Sequence, residues 1–307
     1  MSSRESIAPQ RPVTRRVVRW SVRIAVVAVI LYMPATGCME RLFYYPTRGP
    51  TQPPPHLAAA QSVWFASSDG TRLHGWFIPA QGEHSPPKQA ATILQVHGNA
   101  GNIESHIGFT EHLPLGGFNL FIFDYRGYGR SEGSARKRGP LIADSHAALD
   151  ALLARDDIDR QRIGLYGQSL GGSIALNMMA DRPEIRAAVI ESAFASWRDI
   201  AASALGGDSP GFVSRGLATL LIKDNYRPID AIGRIDRPIL LVHGTADRTI
   251  PISNSRRLAE AAAAAELVEL AGGDHNTLRA THPEIDQLTI DFFAAHLGGD
   301  QEPRRDP

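Results

Sequence analysis

Residues 162–172 read Arg-Ile-Gly-Leu-Tyr-Gly-Gln-Ser-Leu-Gly-Gly. A short apolar strand runs into Gly167-Gln168-Ser169-Leu170-Gly171, and a helix follows at once, so the pentapeptide is a strand-to-helix turn. A serine lifted onto so tight a turn takes a strained backbone. Small residues two before and two after it keep the neighbouring strands and the helix clear. The turn places the hydroxyl at a helix N-terminus, where free amides and the helix dipole favour the negative charge that an acyl-transfer intermediate develops. Gly-x-Ser-x-Gly also arises by chance, so its surroundings decide its meaning.

Outward from this turn, short apolar runs alternate with helical stretches. Strands are expected near 91–96, 119–123, 162–166, 187–190, 238–242 and 266–270, and helices near 104–113, 140–154, 170–181, 252–264 and 283–296. Continuous apolar strands separated by helices imply a mostly parallel sheet covered on both faces. Upstream, Val63-Trp64-Phe65-Ala66 and Leu73-His74-Gly75-Trp76-Phe77-Ile78, joined by Ser67-Ser68-Asp69-Gly70, read as an antiparallel hairpin. Residues 196–227 exceed a simple crossover and are expected to form a small cap over the C-terminal strand ends. Within it Phe212, Val213, Leu217, Leu220 and Leu221 either line a pocket or form the packing face of a peripheral helix. The polar tail, 298–307, is expected to be disordered.

A serine nucleophile needs a base, and the base needs an acid that orients it and stabilises the imidazolium. Ile239-Leu240-Leu241-Val242 ends in His243-Gly244-Thr245-Ala246-Asp247, which places an acid on the loop after a parallel strand. Leu267-Val268-Glu269-Leu270 ends in Ala271-Gly272-Gly273-Asp274-His275, which places a histidine on the corresponding loop of the next. Both side chains therefore emerge at the same sheet edge as Ser169, in the order Ser, Asp, His. Asp274 is too close in sequence to orient His275, so Asp247 is the better acid. Asp230 and Asp236 precede the strand, Asp224 lies in the cap and His282 begins the last helix; these are the runners-up. Taken singly, a loop Ser or Asp more often caps or turns the chain. Taken together, order and position argue for a site. Its oxyanion donors are expected to be the amide of Leu170 and that of Asn99, with Ala100 the alternative, in His97-Gly98-Asn99-Ala100-Gly101-Asn102. That loop lacks both the Lys-Ser/Thr ending and the Gly-x-Gly-x-x-Gly spacing of phosphate-binding loops.

The set formed by this loop, Phe123-Asp124-Tyr125-Arg126-Gly127-Tyr128-Gly129-Arg130-Ser131, the serine turn, Glu191-Ser192-Ala193-Phe194 and His243-Gly244-Thr245-Ala246-Asp247 resembles the α/β-hydrolase superfamily. It is similar to the branch with abhydrolase-domain lipases, protein depalmitoylases and bacterial homologues carrying an N-terminal anchor. The resemblance spans roughly residues 60–297. It implies the α/β-hydrolase fold and ester or thioester hydrolysis through an acyl-enzyme on Ser169, without a cofactor. Fold alone does not name the substrate. Ala100, Tyr125, Phe194 and Phe212 are the candidates to touch it, packing being the alternative for Tyr125 and Tyr128. Asp124 and Arg126 are expected in a structural turn and ion pair.

Composition frames this reading. The 307 residues, 43% of them hydrophobic, suit one catalytic domain with extensions. Net charge is zero, but residues 1–23 hold six Arg and one Glu, which leaves 26 basic and 31 acidic residues beyond them and no footprint for nucleic acid. The single cysteine, Cys38, excludes an intrachain disulfide, and the eleven histidines show no metal-ligand spacing.

Arg11, Arg15, Arg16, Arg19 and Arg23 precede the apolar run 24–33, then Pro34 and the small residues Ala35, Thr36 and Gly37. Basic, apolar, small is the order of an export signal. The uncharged run 24–39 is shorter than the roughly 20 residues that comfortably span a bilayer, so a cleaved signal and a short anchor are both open. Ala35-Thr36-Gly37-Cys38 resembles a bacterial lipobox, which would make Cys38 a lipid-attachment site, although Ala35 stands where Leu is preferred. In each case the arginines keep the N-terminus cytoplasmic and push the rest outward. Residues 38–60, Pro-rich at 46–55, are expected as a tether that holds residues 61–297 off the membrane.

Membrane proximity and an apolar cap tilt the substrate toward small-molecule or lipid acyl esters. The rivals are a peptidase or amidase on the same triad and a catalytically silent envelope lipoprotein.

Overall fold

The apolar runs assemble into one eight-stranded sheet in a computed structural model that describes residues 38–81, 88–207 and 210–298, with Trp20, Ser21 and Arg23 besides. The expected export signal (1–37, those three residues aside) and the tail 299–307 lie outside the described residues. The strands are β1 (Gln61–Ala66), β2 (Arg72–Ile78), β3 (Thr92–Val96), β4 (Asn119–Asp124), β5 (Ile163–Gln168), β6 (Ile185–Glu191), β7 (Ile239–Gly244) and β8 (Ala265–Leu270). Their order is β1-β2-β4-β3-β5-β6-β7-β8, and β2 alone runs against its neighbours.

Strands β3, β4, β5 and β7 are buried along their whole length, whereas edge strands β1 and β8 alternate toward solvent. The period of two explains how one strand serves two layers. Leu165 joins the core on one face with Ile174 and Leu149, and its neighbour Tyr166 joins the other with Phe293 and Ile285. The first layer holds α1 (Arg138–Leu153), α2 (Leu170–Asp181) and, through Leu258, α5 (Ser253–Ala261); the second holds α6 (Glu284–Leu297). The cap is a pair of helices packed on each other, α3 (Trp197–Gly206) and α4 (Phe212–Leu221). Among the described residues no helix is long and apolar enough to cross a membrane.

Two expectations are corrected. The helix expected near 104–113 is broken into Ile103–His106, a 3-10 turn Ile107–Phe109 and a second short helix, His112–Leu115. Pro114 falls in the first turn of that second helix, where an N–H is not needed, so the helix restarts rather than runs through. The segment 38–60 is not a free spacer. Cys38–Phe43 is a 3-10 helix, Tyr44 and Leu57 are core residues, and Tyr45–Pro46 pairs in parallel with Ala100–Gly101. Pro46 belongs to that parallel pair, and Pro55 opens a 3-10 turn, Pro55–Leu57, that carries Leu57 into the core.

Candidate active site

The turn after β5 holds Ser169 at φ 56°, ψ −119°, a region that side chains rarely occupy. Two close approaches force that shape. A Cβ on Gly171 would stand 1.9 Å from the carbonyl oxygen of Val96, and one on Gly167 would stand 2.7 Å from the backbone of Gly172. The chain is pinned from below by the Ser169 amide, which donates to the carbonyl of Glu191 at the end of β6 (2.8 Å).

Loops after β7 and β8 bring the other two residues to this turn. His275 Nδ1 lies 2.7 Å from Asp247 Oδ2, and His275 Nε2 lies 3.0 Å from Ser169 Oγ. A carboxylate only accepts, so Nδ1 carries the proton and Nε2 is bare, which leaves Ser169 Oγ–H to donate to it. That is the tautomer a general base requires. Asp247 is fixed in turn: Oδ1 accepts from the amides of Thr249 (2.8 Å) and Ile250 (2.7 Å). His243 Nε2 approaches Oδ2 at 3.2 Å while also facing the Ile250 carbonyl, so it too must carry its proton there, and Nδ1 takes the Ser255 hydroxyl at 2.6 Å. Burial alone would raise the Asp247 pKa, but hydrogen bonds from His243 and His275 outweigh it and hold the carboxyl well below the usual range. Ser169, Asp247 and His275 are all buried.

Asp274 does not compete for the imidazole. It pairs with Arg248 (2.8 Å) and accepts the His275 amide (2.8 Å). Asp224 caps α3, accepting from Trp197 N at 2.9 Å. Asp230 pairs with Arg227, Asp236 with Arg237, and His282 meets Thr281.

Asn99 sits in a loop held from several sides. Its Oδ1 accepts from the Tyr45 amide (3.2 Å) and the Tyr128 hydroxyl (3.4 Å), and Tyr125 OH donates to the His97 carbonyl (3.0 Å). Asp124 Oδ1 accepts the Ile103 amide (2.9 Å), and burial, opposed by that bond and one from Arg130, pushes the carboxyl up to about 7. Arg126 bridges Asp144 (2.7 Å) and Asp69 (2.6 Å). Leu170, buried, opens α2, so its amide is among the four that a helix leaves without an internal partner.

Beside these loops lies a largely apolar cavity of about 590 Å³, within the range of small-molecule sites. It is lined by Asn99, Thr249 and Arg248, by Ile200, Ala204 and Leu205 of α3, by Ala218 and Leu221 of α4, and by Phe43 and Tyr45.

Four residues expected to touch substrate do not line this cavity. Tyr125 is fully buried as a brace of the Asn99 loop, and Phe194 stacks edge-on against Trp197 at 4.8 Å in the core. Ala100 is engaged in pairing with Tyr45. Phe212 points out of the cap, 92% exposed. Of the five apolar cap residues only Leu221 reaches the cavity; Phe212, Val213, Leu217 and Leu220 are exposed.

Phe43, Tyr45, Ile200, Leu205 and Arg248 line the cavity without any local signal in the sequence. His243 did carry one, since it stands at a strand end four residues before Asp247. Also unseen was Arg279, which donates to Tyr166 OH (2.9 Å) and Glu191 Oε2 (3.1 Å) and so ties the segment after His275 to β5 and β6.

Comparison with known proteins agrees with this architecture. A family profile described as alpha/beta hydrolase fold matches residues 91–216, and one described as TAP-like protein matches residues 223–298. The protein YfhR of Escherichia coli (strain K12) is 36% identical over 293 residues, covering 93% of this chain and 98% of that protein. The alpha/beta hydrolase domain-containing protein WAV2 of Arabidopsis thaliana is 35% identical over 228 residues, 70% of this chain and 72% of that one. Among solved structures, the Pyrococcus furiosus esterase Pf2001 superposes with a TM-score of 0.67 at 20% identity, over 83% of this chain and 100% of that one. With kinship running through most of both chains and the sheet order built as above, this chain belongs to the α/β-hydrolase family.

Proposed function

We propose that the protein is a serine hydrolase that cleaves carboxylic ester or thioester bonds of acyl substrates through an acyl-enzyme on Ser169. The observation that carries this reading is the unbroken hydrogen-bonded chain from Ser169 Oγ through His275 to Asp247, in the tautomer a base requires. Ser169 Oγ attacks the carbonyl carbon while its proton passes to His275 Nε2, and Asp247 stabilises the imidazolium that results. The carbonyl oxygen becomes an oxyanion, taken up by the amides of Leu170 and Asn99. His275 then gives its proton to the leaving alcohol or thiol, and the same cycle with water as nucleophile releases the acid and restores the serine. No cofactor enters these steps. The apolar cavity beside the site supports an acyl chain as the group held there.

The setting is part of the proposal. The arginine-flanked apolar run 24–33 attaches the chain to a membrane or exports it, with the hydrolase domain facing away from the cytoplasm. Cys38, at the head of the 3-10 helix Cys38–Phe43, is the proposed lipid-attachment site.

A serine-directed fluorophosphonate probe tests the chemistry. It is expected to label the parent and not Ser169→Ala; an unlabelled, well-folded parent overturns the reading. Acyl esters of increasing length compared with peptide amides separate esterase from peptidase action. Intact mass of the membrane fraction tests the address, and an uncleaved, unmodified Met1 N-terminus removes the lipoprotein proposal.

A further inference from the structure

Helix α4 carries two apolar stripes. Ala218 and Leu221 face the cavity, and Ser214 is buried with them. Val213, Leu217 and Leu220 repeat at the same spacing about 100° round the helix, as a neighbouring stripe that faces out of the domain. These three are exposed, as are Phe212 at the start of the helix and Leu205 on α3. Bare apolar side chains scattered singly are ordinary, but four on a ten-residue helix form a patch that marks an interaction surface.

Two further observations say what covers it. From Pro210 to Lys223 the chain has exposed Arg215 and Lys223 and no acidic residue, which complements an anionic surface. The N-terminal segment also enters the domain at this cap. Phe43 lies edge-on against Trp197 at 5.8 Å, and Glu40 pairs with Arg138, whose guanidinium lies 4.2 Å over the same Trp197 and donates to the Asn225 carbonyl. Only four residues separate Met33, the end of the apolar run, from Cys38, a reach of at most about 18 Å when fully extended. Whatever membrane holds that run is therefore close to the cap.

Resting on the anchored-hydrolase reading above, we infer that the outer face of α4, Phe212, Val213, Leu217 and Leu220, seats in the headgroup and acyl boundary of an anionic lipid bilayer. A short helix with an apolar face and basic flanks lies in the plane of that boundary. The cavity that Leu205, Leu221 and Phe43 help to line then lies next to the lipid, which gives an acyl chain an apolar way in.

The test uses the full chain reconstituted into vesicles of phosphatidylcholine and phosphatidylglycerol, with brominated acyl chains as quencher. Phe212→Trp is compared with Asp156→Trp, an exposed position in the turn leading to the start of β5, at the opposite edge of the sheet from the cap. Measured over the parent's own tryptophans, emission from position 212 is expected to shift to the blue and to be lost to brominated lipid. Emission from position 156 is expected to be lost only to aqueous iodide. A second variant, Leu217→Ser with Leu220→Ser, is expected to lose turnover of vesicle-borne esters and to keep that of a short soluble ester.

Emission at 212 that follows iodide and ignores brominated lipid overturns the inference. So does a chain that fails to float with the vesicles. Protection at 212 without lipid quenching, together with a doubled mass in detergent, assigns the face to a second copy and overturns it as well. Fluorophosphonate labelling in the same samples reports the hydrolase chemistry separately, so the two readings fail independently.

Discussion

Helices α2 and α4 are both short, both apolar and both next to the site, yet they meet opposite fates. In α2 every residue from Leu170 to Met179 is buried; in α4 only Ser214 and Ala218 are, and Phe212 stands free. The difference lies in what surrounds them. Helix α2 leaves β5 into a crevice between the sheet, α1 and the short helix Pro228–Ile232, whereas α4 rests mainly on α3. An apolar sequence becomes core only where the fold supplies a surface to cover it. Where none is supplied, the same composition makes a docking face or a substrate wall.

The strongest way to break this contrast is chemical. Ser169→Ala, at the head of α2, is expected to lower kcat by about 10⁴- to 10⁶-fold, measured on a short soluble ester, while Leu217→Ser on α4 leaves it unchanged. Asp247→Asn, which removes the group that fixes the imidazole tautomer, is expected to cost about 10⁴-fold in kcat with the fold retained by circular dichroism. A rate near the parent's for either site variant would detach α2 from catalysis.

A matched pair of glycines sharpens the packing half. A Cβ on Gly171 would collide with the Val96 carbonyl, so Gly171→Ala is expected to lower stability by about 1–3 kcal/mol or more in urea titration. On α4 a Cβ on Gly216 meets nothing within 4 Å, and Gly216→Ala is expected to raise stability by about 0.5–1 kcal/mol through helix propensity. Equal effects in the two helices would contradict the difference in packing.

The last effect is a slope against pH. Buried Asp124, pushed up to about 7, keeps its proton in the folded state where the unfolded chain, near 3.9, has lost it. The folded state therefore binds more protons between about pH 4 and 7, and this group's contribution to stability falls as pH rises through that window. Asp124→Asn is expected to flatten the fall in denaturation midpoint from pH 5 to pH 8; an unchanged slope assigns it to other groups.

How much could be read without coordinates follows from where each signal lies. Ser169, Asp247 and His275 each sit at the end of a recognisable apolar strand, and parallel strands put their C-terminal ends on one edge, so three local patterns converge. The helix boundaries of α2 were legible because a glycine-rich turn precedes it and its apolar run is continuous. The cavity wall was not legible. Tyr45 and Asn99 are separated by 54 positions, and nothing near Tyr45 signals that its amide will meet the Asn99 side chain. The proline content around it suggested a spacer, because proline restricts φ and removes a donor whether the chain is extended or packed. Pocket lining and helix packing stay equally open for Phe212 in the sequence, because hydrophobicity tells that a residue favours burial and is silent about which side of a helix finds cover.

The sequence by itself determined the sheet, the serine turn and the acid and histidine that answer it, since period, turn chemistry and strand-end position are all local properties. Only tertiary structure decided that Tyr45, Pro46 and Thr47 brace the Asn99 loop, that Leu221 faces the cavity and Phe212 the outside, and that His243 shares Asp247 with His275. Those depend on which distant surfaces the chain brings together, and burial is a property of the pair of surfaces in contact, not of either segment alone.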